Sequence, residues 1–164
     1  MIFPAHLEQK VISALKKEHP YEEVAYFIIK TENYWQETGS GIIGTLPNVL
    51  SWTEFSDHLK QSLNVEQFRH THIVTEKLQK VAVCGGSGAF LIPDAIRSGA
   101  QVFITSDVKY HEFFDADNRI IIVDIGHYES EKFSPELFQT VLNQNFANIA
   151  ALFSETRTNP LLYS

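Results

Sequence analysis

Cysteine is almost absent from this sequence, which contains only Cys84 among its 164 residues. A single thiol excludes an internal disulfide framework and is typical of proteins of the reducing cytoplasm. Basic residues are also few, since 13 Lys and Arg stand against 20 Asp and Glu and give a formal net charge of -7. No run of basic residues interrupts this negative charge. The composition therefore argues against nucleic acid and against an anionic membrane surface as partners.

Long apolar runs are missing too, because no window approaches the roughly 18 consecutive apolar residues of a membrane-spanning helix. The first segment, MIFPAHLEQKVISALKK, carries His6 and Glu8 where a secretory signal peptide would be apolar. We therefore expect no secretory leader, no membrane partner and a cytoplasmic location. What the sequence does contain is 44% hydrophobic residues, which is enough to fill the core of a globular protein.

The spacing of apolar residues predicts the order of helices and strands. Apolar residues three and four apart predict a helix over residues 5 to 18, and EEVAYFIIK predicts a strand over residues 22 to 30. From about residue 72, apolar strands alternate with helices and end in a predicted strand, NIAALFS, at residues 148 to 154. This alternation predicts an α/β fold of three layers, in which a mostly parallel or mixed sheet carries helices on both faces.

A glycine-rich turn follows one of the predicted strands. In VAVCGGSGAF, the strand runs into Gly85, Gly86, Ser87 and Gly88 before a predicted helix. Glycines here would let a ligand approach the backbone, and the helix would offer free N–H groups to an anion. The spacing within this turn matches neither the dinucleotide nor the P-loop fingerprint. Both a tight structural turn and a loop that binds substrate or an anion fit the pattern.

Polar residues cluster after the next predicted strand. In ITSDVKYHEFFDAD, Thr105, Ser106, Asp107 and His111 come just beyond a buried strand. In open α/β sheets ligands bind at the carboxyl ends of the strands, so these residues are candidates for binding or catalysis. The alternative is that Asp107 caps a helix and that His111 is a surface residue.

A histidine and a glutamate follow the third predicted strand, in RIIIVDIGHYESEKF. If the chain becomes helical after Gly126, His127 and Glu131 lie four residues apart on one helix face and can converge on one ion. Such a nitrogen and oxygen pair suits zinc, iron or manganese. The same spacing also occurs on solvent-exposed helices that bind no metal.

Six segments, taken in order, resemble one known family. They are HPYEEVAY, GSGIIGTLP, VAVCGGSGAF, ITSDVKYHEFFDA, DIGHYESE and TNPLLY. Their order is similar to that in the carboxy-terminal part of the Nif-three-like family, also known as dinuclear metal-centre hexameric proteins or GTP cyclohydrolase type-two homologues. The resemblance covers nearly the whole chain, and six ordered segments are more specific than any one motif.

The resemblance implies a protein of two similar α/β halves with two divalent metal ions between them, assembled as a toroidal homohexamer. It implies that residues 1–70 are part of an inserted ferredoxin-like domain similar to CutA and PII proteins, with a connecting segment. Residues 71–164 would then be the carboxy-terminal α/β half. His127 and Glu131 fall on the family's metal ligands. Asp107 and His111 fall beside the same cleft as candidate catalytic residues.

Two departures from the family pattern affect what this chain can do. The His-His-Pro motif of the family's first half has no counterpart here, and Ser106 stands where glycine is more usual. The chain is therefore either a fragment of a longer protein or a chain that has lost half of its metal site. Our leading interpretation is a fragment of a metal-dependent hydrolase with an unknown small-molecule substrate. Because it carries half of the dinuclear site, we expect the chain alone to bind metal weakly and to be inactive.

The alternative function belongs to a different class. It is a non-catalytic assembly or regulatory protein that senses a small molecule through the CutA-like insert, with a structural metal. A structural site is coordinatively closed, whereas a catalytic site keeps an exchangeable water, and this difference separates the two hypotheses.

Overall fold

A computed structural model of the chain describes residues 1–32, 38–146, 148–156 and 158–162. The chain divides into two compact units, Met1–Gln36 and Glu37–Ser164. In the second unit, strands from both sides of residue 70 join one sheet. The division into an insert over residues 1–70 and a carboxy-terminal half over residues 71–164 stays a prediction.

The first unit contains one helix, α1 (Glu8–Glu18), which follows a 3-10 turn at Ala5–Leu7. This helix was expected from the sequence. The predicted strand over residues 22 to 30 is wrong, because these residues form no strand, and Phe27 and Ile29 are 93% and 84% exposed. An extended segment becomes a stable strand only when a neighbour pairs with its backbone N–H and C=O groups, and the described part of this unit contains no second strand.

The second unit is built on a mixed sheet of five strands. They are β1 (Ile42–Leu50), β2 (Arg69–His70), β3 (Leu78–Ser87), β4 (Val102–Ser106) and β5 (Ile121–Asp124). Their order in the sheet is β1-β3-β4-β5-β2. The three central strands are parallel, and the two edge strands run antiparallel to their neighbours. Because the central strands are parallel, their carboxyl ends all lie at the same end of the sheet.

Among the described residues of this unit, the helices beside the sheet are α2 (Trp52–Leu63), α3 (Ile92–Arg97), α4 (His127–Glu131) and α5 (Ser134–Asn145). Two 3-10 segments, Ala89–Leu91 and Tyr110–Ala116, complete the connections. A capping box starts α2, since Ser51 Oγ accepts from the N–H of Glu54 and the Glu54 carboxylate accepts from the N–H of Ser51. None of the helices among the described residues is long and apolar enough to cross a membrane.

The core lies on both faces of the sheet. Along β4, Phe103 packs in one apolar cluster, and Val102 and Ile104 pack in the other, as the alternation of side chains along a strand requires. The first cluster contains Ile92 from α3, and the second contains Phe55 from α2. Helices therefore cover both faces of the sheet, which confirms the predicted α/β class.

The predicted strand at residues 148 to 154 is wrong. This segment follows α5 and forms no strand. Its backbone is engaged by that helix instead, since Gln139 Nε2 donates to the carbonyl oxygen of Ala151 at 2.8 Å. Leu152 and Phe153 are 90% and 51% exposed, so this apolar run does not form a buried strand.

Candidate functional site

Three groups of residues predicted from the sequence meet at the carboxyl ends of the central strands. Gly85, Gly86 and Ser87 end β3, Asp107 follows β4 directly, and His127 begins α4 shortly after β5. The strands are parallel neighbours, with Ser87 opposite Ser106 in the register. The fold thus brings together segments that are 20 and more residues apart in the sequence.

His127 lies between two carboxylates. Its Nδ1 atom is 2.5 Å from Asp107 Oδ2, and its Nε2 atom is 3.3 Å from Glu131 Oε2. The hydrogen bond to Asp107 is the largest of the effects that raise the pKa of His127. When the ring is neutral, this bond places the remaining proton on Nδ1 and leaves Nε2 as an electron-pair donor beside the glutamate.

Asp107 is held by two partners and by an unusual backbone conformation. Ser87 Oγ donates to Asp107 Oδ2 at 2.5 Å, and this hydrogen bond, followed by that with His127, lowers the pKa of the carboxyl group. The residue has a φ of 55°, in the left-handed region that non-glycine residues rarely adopt. The turn therefore fixes an ionised carboxylate toward His127. The predicted helix N-cap role is not seen, since the following 3-10 segment is preceded by Lys109.

The absence of a side chain at Gly86 leaves space for the Glu131 carboxylate beside His127. Gly86 has a φ of 66°, and a Cβ atom built on it would lie 2.5 Å from Glu131 Oε1 and 3.7 Å from His127 Cε1. Its N–H group donates to Ser130 Oγ at 2.8 Å, which ties the glycine turn to α4. Any side chain at this position would occupy the space of the Glu131 carboxylate.

Gly88 permits close packing beneath the glycine turn. A Cβ atom on Gly88 would overlap the side chains of Thr105 and Cys84. Thr105 is fully buried, and its hydroxyl donates to the carbonyl oxygen of Gly86 at 3.1 Å. Burial raises the pKa of the Cys84 thiol. The role of Gly85, Gly86, Ser87, Gly88 and Thr105 as a substrate or anion loop stays a prediction, and the Gly86 N–H group already has a partner within the protein.

Two sequence-predicted features lie apart from this cluster. His111 is exposed on the 3-10 segment and packs edge-on against the ring of Tyr110, with 5.3 Å between the ring centroids. No hydrogen bond joins it to Asp107 or His127 within the described residues. Ser106, which stands where glycine is more usual in the family, is the last residue of β4 and is fully buried, and the residue with positive φ that follows it is Asp107.

A second glycine pattern, GSGIIG at residues 39 to 44, has the spacing of a dinucleotide fingerprint. Gly44 lies inside β1, an edge strand, and the next helix begins only at Trp52. A dinucleotide cradle needs these glycines between a strand and a helix N-terminus. The spacing therefore does not mark a nucleotide site here.

One further pair, Asp124 with Arg69, is not evident from the sequence. Asp124 is buried at the end of β5 and forms an ion pair with Arg69, which lies opposite it on β2. In the sequence, Arg69 belongs to a polar stretch that looks like a linker. The only feature of the sequence that pointed to this pair was a carboxylate at the end of a run of apolar residues.

A cleft of about 1080 Å³ adjoins the cluster. His127 and Glu131 lie on its wall, together with residues of α5 and of the carboxy-terminal segment. Tyr163 of the TNPLLY segment lies outside the described residues. Among the residues that the structure describes, no three His, Cys, Asp or Glu side chains form a complete set of metal ligands.

Comparisons with known proteins agree on one family. The family model described as Duf34/NIF3 (NGG1p interacting factor 3) matches residues 3–160. The chain is 38% identical to the GTP cyclohydrolase 1 type 2 homolog of Bacillus subtilis (strain 168), over 99% of the chain and 44% of the relative. It is 39% identical to the protein of the same name from Listeria innocua, over 77% of the chain and 34% of the relative. The chain spans less than half the length of these curated relatives.

Solved structures show the same fold. Staphylococcus aureus protein SA1388 matches with a TM-score of 0.78 and 26% identity, over 100% of this chain and 54% of that one. A Bacillus cereus protein related to NIF3 matches with a TM-score of 0.70 and 35% identity, over 99% and 46%. The family model, the curated relatives and these structures together show that the chain belongs to the Duf34/NIF3 (NGG1p interacting factor 3) family.

Proposed function

We propose that this chain supplies His127 and Glu131 as ligands to a divalent metal ion in a metal-dependent hydrolase. The observation that carries the proposal is the position of His127, whose Nε2 atom lies 3.3 Å from Glu131 Oε2 while Asp107 engages Nδ1. An imidazole nitrogen and a carboxylate oxygen at this separation can both reach one ion, because metal–ligand bonds to these atoms are about 2.0 to 2.2 Å long. The donor set suits zinc, iron or manganese.

Asp107 would orient the histidine and hold its tautomer. Histidine ligands commonly donate their second ring N–H to a carboxylate, which fixes the ring and raises its basicity as a ligand. Asp107 already makes this contact, and Ser87 holds the same carboxylate oxygen from the other side. The lowered pKa of Asp107 makes it a poor proton acceptor near neutral pH, so orientation is the role that the geometry supports for it.

A divalent ion bound there would activate water and polarise a substrate oxygen. The chain's own residues would hold the ion from one side, with Gly86 leaving room for Glu131. The adjoining cleft of about 1080 Å³ gives a substrate access to that wall. The name that the curated relatives carry, GTP cyclohydrolase 1 type 2 homolog, supports ring hydrolysis as the reaction class.

Two protein ligands hold an ion weakly, so the chain alone should bind metal weakly or not at all and show no hydrolysis. Further ligands would come from the part of the protein that the chain does not cover, since the chain spans 44% of its Bacillus subtilis relative. We place the protein in the cytoplasm as a homohexamer, with residues 1–70 belonging to a CutA-like insert. Exposed apolar side chains support an assembly, with Leu152 and Leu162 at 90% and 84% exposure.

Paramagnetic Mn²⁺ tests the ligand assignment, because it broadens nuclear magnetic resonance signals near a weak site. We expect titration of the chain to broaden the amide signals of residues 127 to 131 and of Gly86 first. His127→Ala and Glu131→Ala should abolish that selective broadening. His58→Ala, on the exposed face of α2, is the matched control and should leave it unchanged. Selective broadening that survives His127→Ala, or that is centred elsewhere, would remove these residues from the ligand set.

A further inference from the structure

Asp124 is a buried carboxylate that accepts hydrogen bonds from two turns. It is only 4% exposed at the end of β5. Its Oδ2 atom accepts from the N–H of Val108 at 3.0 Å, and its Oδ1 atom accepts from the N–H of Gly126 at 3.1 Å. Arg69 Nη2 also donates to Oδ2. A buried carboxylate with three donors is well satisfied, whereas losing one of them would leave an oxygen without a partner.

The two backbone donors belong to the turns that carry the candidate site. Val108 follows Asp107, and Gly126 precedes His127. Both turns contain a residue in the left-handed region, with a φ of 55° at Asp107 and 91° at Gly126. The conformation of Asp107 is uncommon for a residue with a side chain and needs support from its surroundings, whereas Gly126 adopts a positive φ at little cost. One carboxylate therefore connects the two backbone segments whose side chains meet at 2.5 Å.

We infer that Asp124 is a positioning residue, which sets the distance between Asp107 and His127 by holding both turns. Within the described residues it forms no hydrogen bond with the ring of His127, so its effect passes through the backbone at Val108 and Gly126. The consequence for metal binding rests on the proposed function of His127 as a ligand. The positioning itself does not, because the contact between Asp107 and His127 exists without metal.

Arg69 completes this arrangement from the edge of the sheet. It lies opposite Asp124 on β2, its Nη2 atom donates to the carbonyl oxygen of Val108 at 3.2 Å, and its guanidinium carbon is 5.4 Å from the centre of the Phe113 ring. The guanidinium therefore contacts both the carboxylate and the same turn that the carboxylate holds. It also provides the opposite charge that a buried carboxylate requires.

Asp124→Asn tests the inference, because asparagine keeps the shape of aspartate but replaces one acceptor oxygen with a donor and removes the charge. The readout is the tautomer of His127 in the metal-free chain, measured from the ¹⁵N shifts of its ring through the carbon-bound ring protons. In the native chain we expect the neutral ring to carry its proton on Nδ1. In the variant we expect that preference to be lost, with Mn²⁺ binding weakened roughly tenfold, as for outer residues of metal sites.

Asp115→Asn is the matched control, since Asp115 is exposed on the 3-10 segment and should change neither readout. A folded Asp124→Asn chain with native ring shifts would refute the positioning role, even if its stability had fallen. A second measurement does not depend on the variant folding. In the native chain, the amide hydrogens of Val108 and Gly126 should both exchange slowly with solvent, and fast exchange of either would also refute it.

The outcomes separate this inference from the proposed function. Native ring shifts in Asp124→Asn, together with loss of Mn²⁺ binding in His127→Ala, would refute only the positioning role. Altered ring shifts in Asp124→Asn, together with selective Mn²⁺ broadening that persists in His127→Ala, would refute only the metal assignment.

Discussion

Replacing Gly86 with alanine should weaken the metal site far more than it weakens the fold. The φ of 66° places this residue in the left-handed region, where a Cβ atom costs about 1 to 2 kcal/mol. Alanine also reduces the freedom of the unfolded chain, which returns roughly 0.4 to 1 kcal/mol. We therefore expect a net loss of about 1 kcal/mol in the free energy of unfolding from backbone strain alone.

The new methyl group would also displace Glu131. It would lie 2.5 Å from Oε1, whereas ordinary van der Waals contact begins at 3.4 Å, so the oxygen must retreat by about 0.9 Å. The Glu131 side chain is 50% exposed and can move at little cost to stability. Metal–ligand distances tolerate only about 0.2 Å, so a displacement of this size should weaken Mn²⁺ binding at least tenfold.

Gly99→Ala is the matched control. Gly99 has a φ of 76°, and a Cβ atom there would meet nothing within 4 Å. Urea denaturation should therefore give the two variants similar losses of stability, while Mn²⁺ titration should show weakened binding only for Gly86→Ala. Native Mn²⁺ affinity in Gly86→Ala, or equal weakening in Gly99→Ala, would refute the argument that Gly86 makes room for a metal-binding carboxylate.

Three further outcomes are expected. The raised pKa of His127 means that the charged ring stabilises the fold below the unfolded-state pKa, and that this stabilisation is lost as the pH rises through the folded-state pKa. Asp107→Asn should therefore lower the pKa of His127, as measured by a nuclear magnetic resonance titration of the ring. Ser51→Ala should lower the free energy of unfolding by about 1 kcal/mol in urea denaturation, because it removes the cap of α2. Phe103 is 1% exposed, so Phe103→Ala should lower the free energy of unfolding by about 3 to 5 kcal/mol in the same assay. Phe90 is 66% exposed, so Phe90→Ala should lower it by less than about 0.5 kcal/mol.

Local patterns in the sequence were enough for the elements that need no distant partner. The capping box at Ser51 and Glu54 marks the start of α2 by local contacts alone, because both of its hydrogen bonds lie within one turn. Runs of apolar residues predicted the central strands, because parallel strands buried on both faces exclude polar side chains. The two false strands, at residues 22 to 30 and 148 to 154, show the limit of such patterns, since a strand depends on a neighbour that its own sequence does not specify.

For the candidate site, the sequence likewise predicted the separate residues but not the contacts between them. The sequence placed His127 and Glu131 one helical turn apart, and it placed Asp107 after a strand, but residues 20 positions apart carry no mark of their contact. The parallel arrangement of β3, β4 and β5 decided that contact, because it brings the ends of strands that are distant in sequence to one edge of the sheet. The same arrangement gave Gly86 its role beside Glu131 and gave Asp124 its two backbone donors. Residue types and local spacing are set by the sequence, whereas distances across strands exist only once the sheet has formed.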